Sequence, residues 1–165
     1  MEEAWLSGKI EDVPQVLMPA AQALVQAARD IEKSVKDLSV AEVWTQPNGA
    51  PSVGFHLRHI AGSVERLLKY ARGEKLNAAQ FAELAVEAEI DKSENAEILC
   101  RKAVERIENV IREIKLTTEE SLFEARKVGR KELPTNVFGL LFHIAEHTQR
   151  HVGQIITTAK IVGNN

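Results

Sequence analysis

Four long stretches of this chain repeat apolar residues at intervals of three and four, and runs of strict alternation are scarce, so the backbone is expected to be helical nearly throughout. No segment reads as a strand. The first long helix is predicted to follow Pro14 or Pro19 and run to about Lys36, burying Val16, Leu24, Ala28, Ile31 and Val35. Ser39 and Glu42 then stand at capping-box spacing for a short helical piece, and the segment from Gln46 to Pro51 breaks the chain. Ser52 can cap a second helix through Val53, Leu57, Ile60, Val64, Leu67, Leu68 and Ala71, with Gly73 as its stop.

A crossover follows, with a helical piece of its own, because Asn77 and Gln80 match a capping box ahead of Phe81, Leu84 and Val86. The third long helix is predicted to start near Ser93 and to bury Ile98, Val104, Ile107, Ile111 and Ile114. Its pairs Glu97–Arg101 and Glu108–Arg112 lie four apart on the wet side. The connection from Thr117 to Leu133 carries a third capping-box pair, Thr117 and Glu120, and a turn at Gly129. Pro134, whose missing amide hydrogen is harmless in a first turn, opens the last helix, which reaches about Val162 before Gly163, Asn164 and Asn165 fray. Four striped helices bury one another best as an all-α four-helix bundle with long connections carrying short helices, forming one domain over residues 1–165. A hydrophobic fraction of 44% is enough to fill one core at this length.

Charge excludes some partners. A net charge of -3 with 27% charged residues, both signs mixed, gives no electrostatic reason to expect nucleic acid or an anionic membrane. The opening Met-Glu-Glu lacks the basic region and apolar run of a secretory signal, and no stretch approaches the roughly 20 apolar residues that cross a bilayer, so a cytoplasmic location is expected. Its single Cys100 cannot form an internal disulfide and is read as a small core residue. Trp5, Trp44 and Tyr70 are expected to pack over the core.

All five histidines fall in two short windows, His56 and His59 in the second helix and His143, His147 and His151 in the last. His147 and His151 are one turn apart, so both rings project from one face and can grip one ion from a rigid rod. With Leu140 at about 0° and about 100° per residue, Val137, Leu141, Ile144, Ile155 and Ala159 lie at about 40–100°, His151 at about 20°, His147 at about 340° and His143 at about 300°. His143 is therefore the weakest candidate. Two ligands leave an ion under-coordinated, and the second helix offers the third: periodicity favours His56 as the more inward residue, while His59 lies at the edge where a neighbouring helix would meet it. Both stay open on this ground.

Other metal motifs are excluded by their missing residues. No histidine has the glutamate three positions earlier that di-iron bundles need, and Thr148 stands where a His-Glu-x-x-His protease has its base. No cysteine set for structural zinc and no glycine-rich phosphate loop exist.

The run His59 to Gly62 (His-Ile-Ala-Gly), followed by His147 to Gln154 (His-Thr-Gln-Arg-His-Val-Gly-Gln), resembles the DinB/YfiT-like superfamily of metal-dependent bundles over most of the chain. That resemblance implies His59, His147 and His151 as the ligands, a divalent ion such as nickel or zinc, and a homodimer. Val152 departs from the arginine that many relatives carry before Gly-Gln. In some members the metal activates a low-molecular-weight thiol, which makes a thiol-dependent transferase or hydrolase acting on a small-molecule substrate the first expectation here. An ion on three imidazoles with an open position would act as a Lewis acid on water or thiol. The alternatives are a non-catalytic, stress-related bundle whose ion only ties two helices together, and a metal-free interaction domain. His56 and Gln154 are candidates for holding ligand rings from behind, whereas Glu146 and Gln149 are expected to face solvent.

Overall fold

A computed structural model describes residues 2–163. Its long helices are α1 (Met18–Val35), α3 (Val53–Ala71), α5 (Ala96–Leu116) and α6 (Val137–Val162), and two shorter ones, α2 (Val40–Trp44) and α4 (Ala78–Val86), sit in the connections. α1 and α3 each pack against both α5 and α6, so α6 lies between α1 and α3 in a four-helix bundle. Leu24, Ile31, Leu57, Ile60, Ile107, Ile114, Leu141, Ile144 and Ile155 are all fully buried in one shared core. Among the described residues no helix is long and apolar enough to cross a membrane.

Local chemistry fixes most of the boundaries. Ser52 Oγ accepts from the Phe55 amide at 3.1 Å and starts α3, which ends where Gly73, at φ 78°, donates its amide to Tyr70 O at 2.9 Å. Two of the three expected boxes form: Ser39 with Glu42 ahead of α2, and Asn77 with Gln80 ahead of α4. Trp44, at the end of α2, is buried and donates its indole N–H to Glu94 O at 2.9 Å. Its ring lies against Gly54, where a Cβ would come within 2.7 Å of it, so α3 has room for the indole only because residue 54 has no side chain.

Several expectations are corrected. Val16 is exposed in a 3-10 turn (Gln15–Leu17), and Leu17 takes the buried place. α5 begins later than Ser93, because Asn95 Oδ1 accepts from the Ile98 amide at 2.9 Å. Its deepest line is Leu99, Ala103, Ile107, Val110 and Ile114, with Ile98, Val104 and Ile111 half-buried beside it. Glu108 and Arg112 meet at 4.0 Å on the exposed face. Trp5 does not pack over the core but is 63% exposed, whereas Tyr70 is half-buried. Cys100 is half-buried against the core, and burial pushes its thiol up to about 11, as an inert core residue requires.

The connection before α6 differs most. Thr117 caps no helix; it ends α5, its hydroxyl donating to Glu113 O at 2.8 Å. Two short strands follow, β1 (Ala125–Val128) and β2 (Leu133–Asn136), paired antiparallel with Ala125 opposite Asn136 and Val128 opposite Leu133. Pro134 therefore opens no helix: it sits in β2 opposite Lys127, in a two-stranded ribbon where every strand is an edge and proline is tolerated. Asn136 starts α6 instead, its Oδ1 accepting from the Gly139 amide at 2.7 Å. At the other end Gly163 donates to Ala159 O at 2.9 Å, while Asn164 and Asn165 lie outside the described residues.

Candidate metal centre

The seam between α3 and α6 brings the two histidine windows together. His59 Nε2 and His147 Nε2 lie 3.0 Å apart, and the ring of His151 lies 4.5 Å from that of His59 and 4.6 Å from that of His147, centroid to centroid. One nitrogen from each of His59, His147 and His151 falls within 4.8 Å of the other two, and all three residues are half-buried. Between the two candidates that periodicity left open, His59 is the one that joins the pair on α6. His56 is inward, as the helical wheel suggested, and only 4% exposed. It meets His151 from behind, Nδ1 to Nδ1 at 2.9 Å. His143 stands outside the cluster, its Nδ1 on Glu146 Oε1 at 2.6 Å.

Protonation favours ligation. Burial first, then the neighbouring histidines His59, His147 and His56 and the Arg150 cation, push His151 down to about 3. Burial and His59 lower His56 to about 4, and His147 is lowered by burial and by His59, His143 and Arg150. These rings are therefore neutral at neutral pH, each with one lone pair to offer.

Partners on the far nitrogens set which lone pair that is. His59 Nδ1–H donates to Glu87 Oε2 at 2.8 Å, leaving Nε2 bare toward His147. Phe55 stacks on the same ring at 5.6 Å. If His151 donates from Nδ1 to His56, its Nε2 is likewise free, and His56 must then carry its proton on Nε2, a buried atom without a partner. His147 is poised differently. Arg150 Nη2 donates toward its Nδ1 at 3.2 Å, which leaves the ring proton on Nε2, pointing at His59.

The three imidazoles fit one divalent ion. A tetrahedral site with bonds of about 2.05 Å has ligand nitrogens about 3.3 Å apart, so the His59–His147 spacing needs to open by only tenths of an ångström. Three neutral nitrogens suit zinc, nickel, copper or iron rather than magnesium or calcium.

Behind His59 lies a group that sequence reasoning missed. Glu87, just past α4, is 6% exposed, and its Oε1 lies 2.6 Å from Nη1 of Arg66, itself buried on α3. The contact is close enough for an ion pair but out of line for a hydrogen bond. A Cβ on Gly62 would collide with both charged groups. His59, Gly62 and Arg66 are spaced three and four apart and share one face, which is the one sequence pattern that could have flagged this spot. A cleft of 720 Å³ opens on the other side of Glu87, lined by Arg58, Gly62, Glu94 and Lys102 among others.

The remaining candidates do less. Gln154 is exposed and makes no hydrogen bond to the cluster among the described residues. Gln149 does not face solvent as expected; it is half-buried and donates to Ala23 O at 2.6 Å, tying α6 to α1. Glu146 is half-buried and pairs with Arg150 at 2.9 Å.

The family model described as the DinB superfamily matches residues 23–155, a span that runs from α1 into α6 and contains all five histidines. No curated protein matches the chain.

Proposed function

The chain belongs to the DinB superfamily, and from that premise we propose that it is a metal-dependent enzyme holding one divalent ion, nickel or zinc, on His59, His147 and His151. The observation that carries this reading is the convergence of three ring nitrogens within 4.8 Å, two from one turn of α6 and one from α3. A bound ion there supplies Lewis-acid chemistry, lowering the pKa of water or a thiol toward neutrality. Three protein ligands leave a coordination position open, which fits catalysis better than a closed structural site. A low-molecular-weight thiol as co-substrate, a small electrophilic partner, a homodimeric assembly and a cytoplasmic setting complete the proposal.

The protein's own groups have definable work in such a reaction. Glu87 and His56 hold two of the rings so that lone pairs face inward. Phe55 stacks on one face of the His59 ring and limits its rotation. Arg150 stands beside His147 with part of its charge already committed to Glu146, placing a cation at the rim where an anionic substrate group would arrive.

Elemental analysis of untagged protein tests the ligand set. We expect near-stoichiometric metal in the wild type and in His56→Phe at reduced affinity, and loss in His59→Ala, His147→Ala and His151→Ala. Metal retained in His59→Ala moves the third ligand to His56. A loaded protein with no exchangeable water and no turnover with thiols supports instead an ion that only ties α3 to α6.

A further inference from the structure

The crossover between α3 and α5 is held down in an unusual way. From residue 81 to residue 95 the only buried residue is Glu87, while its apolar neighbours Leu84, Val86 and Ile90 are 43%, 44% and 53% exposed. An amphipathic segment normally buries its apolar residues and exposes its charges. Arg58 of α3 holds the outer part of this segment through Glu89 O at 2.7 Å and Asp91 at 3.2 Å, but the one deeply buried anchor is a carboxylate, and both of its partners, the His59 ring and the Arg66 guanidinium, belong to one face of α3. Burying an anion is unfavourable unless it is paired, and the pairing here runs from the Arg66 cation on one oxygen to the His59 ring on the other. That second partner is a metal-centre histidine.

We propose that Glu87 is the positioning residue of His59 and that, through this contact, the crossover carrying α4 is latched to the metal centre. The inference rests on the metal reading above. An ion on Nε2 withdraws electron density from the ring and makes Nδ1–H a stronger donor, so loading tightens the bond to Glu87 and with it the docking of the crossover. By linkage the docked crossover raises affinity for the ion by the same factor. Gly62 keeps the space in which Glu87 and Arg66 meet, and Arg66 neutralises the carboxylate without competing for the oxygen that faces His59. The latch also forms one wall of the 720 Å³ cleft, so metal state and cleft shape are joined.

The test uses Co²⁺ as the probe, titrated against a chromophoric chelator, with amide hydrogen exchange followed in the same samples. Glu87→Gln keeps an acceptor but strands the Arg66 charge, so a second variant, Arg66→Met with Glu87→Leu, removes the whole pair while keeping bulk. Affinity should weaken about tenfold in the first and about 100-fold in the second. Exchange over residues 78–92 should slow when wild type binds Co²⁺ and should not respond in the double variant, while α5 behaves alike in both. Affinities within twofold of wild type, or a wild-type crossover indifferent to bound Co²⁺, overturn the latch while leaving the metal reading standing. A wild type that takes up no Co²⁺ overturns both.

Discussion

His59 Nε2 and His147 Nε2 face each other at 3.0 Å across the α3–α6 seam, and only one proton can lie between them. With Glu87 Oε2 accepting from His59 Nδ1–H and Arg150 donating toward His147 Nδ1, the tautomers that satisfy these bonds put the proton of the gap on His147. Loading an ion must displace it.

That displacement gives the first prediction. On ligation the His147 proton moves to Nδ1, the atom toward which Arg150 now donates, and the guanidinium must turn fully to Glu146. Arg150→Met removes both this competing donor and a nearby cation. It should raise affinity for Zn²⁺ or Co²⁺ about three- to tenfold in chelator competition, with little change in melting temperature, because exposed ion pairs contribute at most about 1 kcal/mol.

Metal removal should destabilise the fold. An ion that binds only the native state stabilises it by about 2.7 kcal/mol at a free concentration 100 times Kd. Chelator should therefore lower the Tm of wild type by several degrees and leave that of His147→Ala unchanged. Equal shifts in both would remove the site.

Gly62→Ala inserts a methyl where Glu87 and Arg66 approach α3. Overpacking of this kind costs about 1–3 kcal/mol, and the displaced carboxylate should also loosen His59. Lower denaturation midpoint and weaker metal binding are expected together. Gly54→Ala, which presses on the Trp44 ring rather than on Glu87 and Arg66, should lower stability with a much smaller effect on affinity.

The metal-free protein should be acid-sensitive in a defined window. His56 and His151, lowered by burial to about 4 and about 3, take up protons later in the folded chain than in the unfolded one, where they titrate near 6.5. Between those limits the unfolded state binds more protons, so stability rises with pH. Chelator-treated protein should be most stable above about pH 6.5 and lose stability progressively down to about pH 3 in urea melts. Replacing His56 with Phe should flatten the upper part of that profile.

The sequence carried the frame of this site but not its surroundings. His147 and His151 were legible because a one-turn spacing on a long helix leaves only one geometry. The choice between His56 and His59 was not, because the wheel reports burial, and the buried histidine is the one behind the cluster rather than in it. Family likeness supplied what periodicity could not. Glu87 comes from a different element, 28 residues from His59, and nothing in its local run separates it from Glu83 or Glu89. The hairpin escaped for a similar reason: its four-residue strands lack alternating apolar residues, and Pro134 carries the sign of a helix start as readily as that of an edge strand.

Two of the three nitrogens ride on a single 26-residue rod, α6, while the third is carried by its neighbour α3. Their mutual distances therefore measure how far one rod has slid along the other, and a slip of one residue, about 1.5 Å, exceeds what any metal–ligand bond tolerates. The trio is a gauge of helix register: side chains packed anywhere along that seam, even at the far end of the bundle, would tune the fit of an ion held there through the alignment of the two rods.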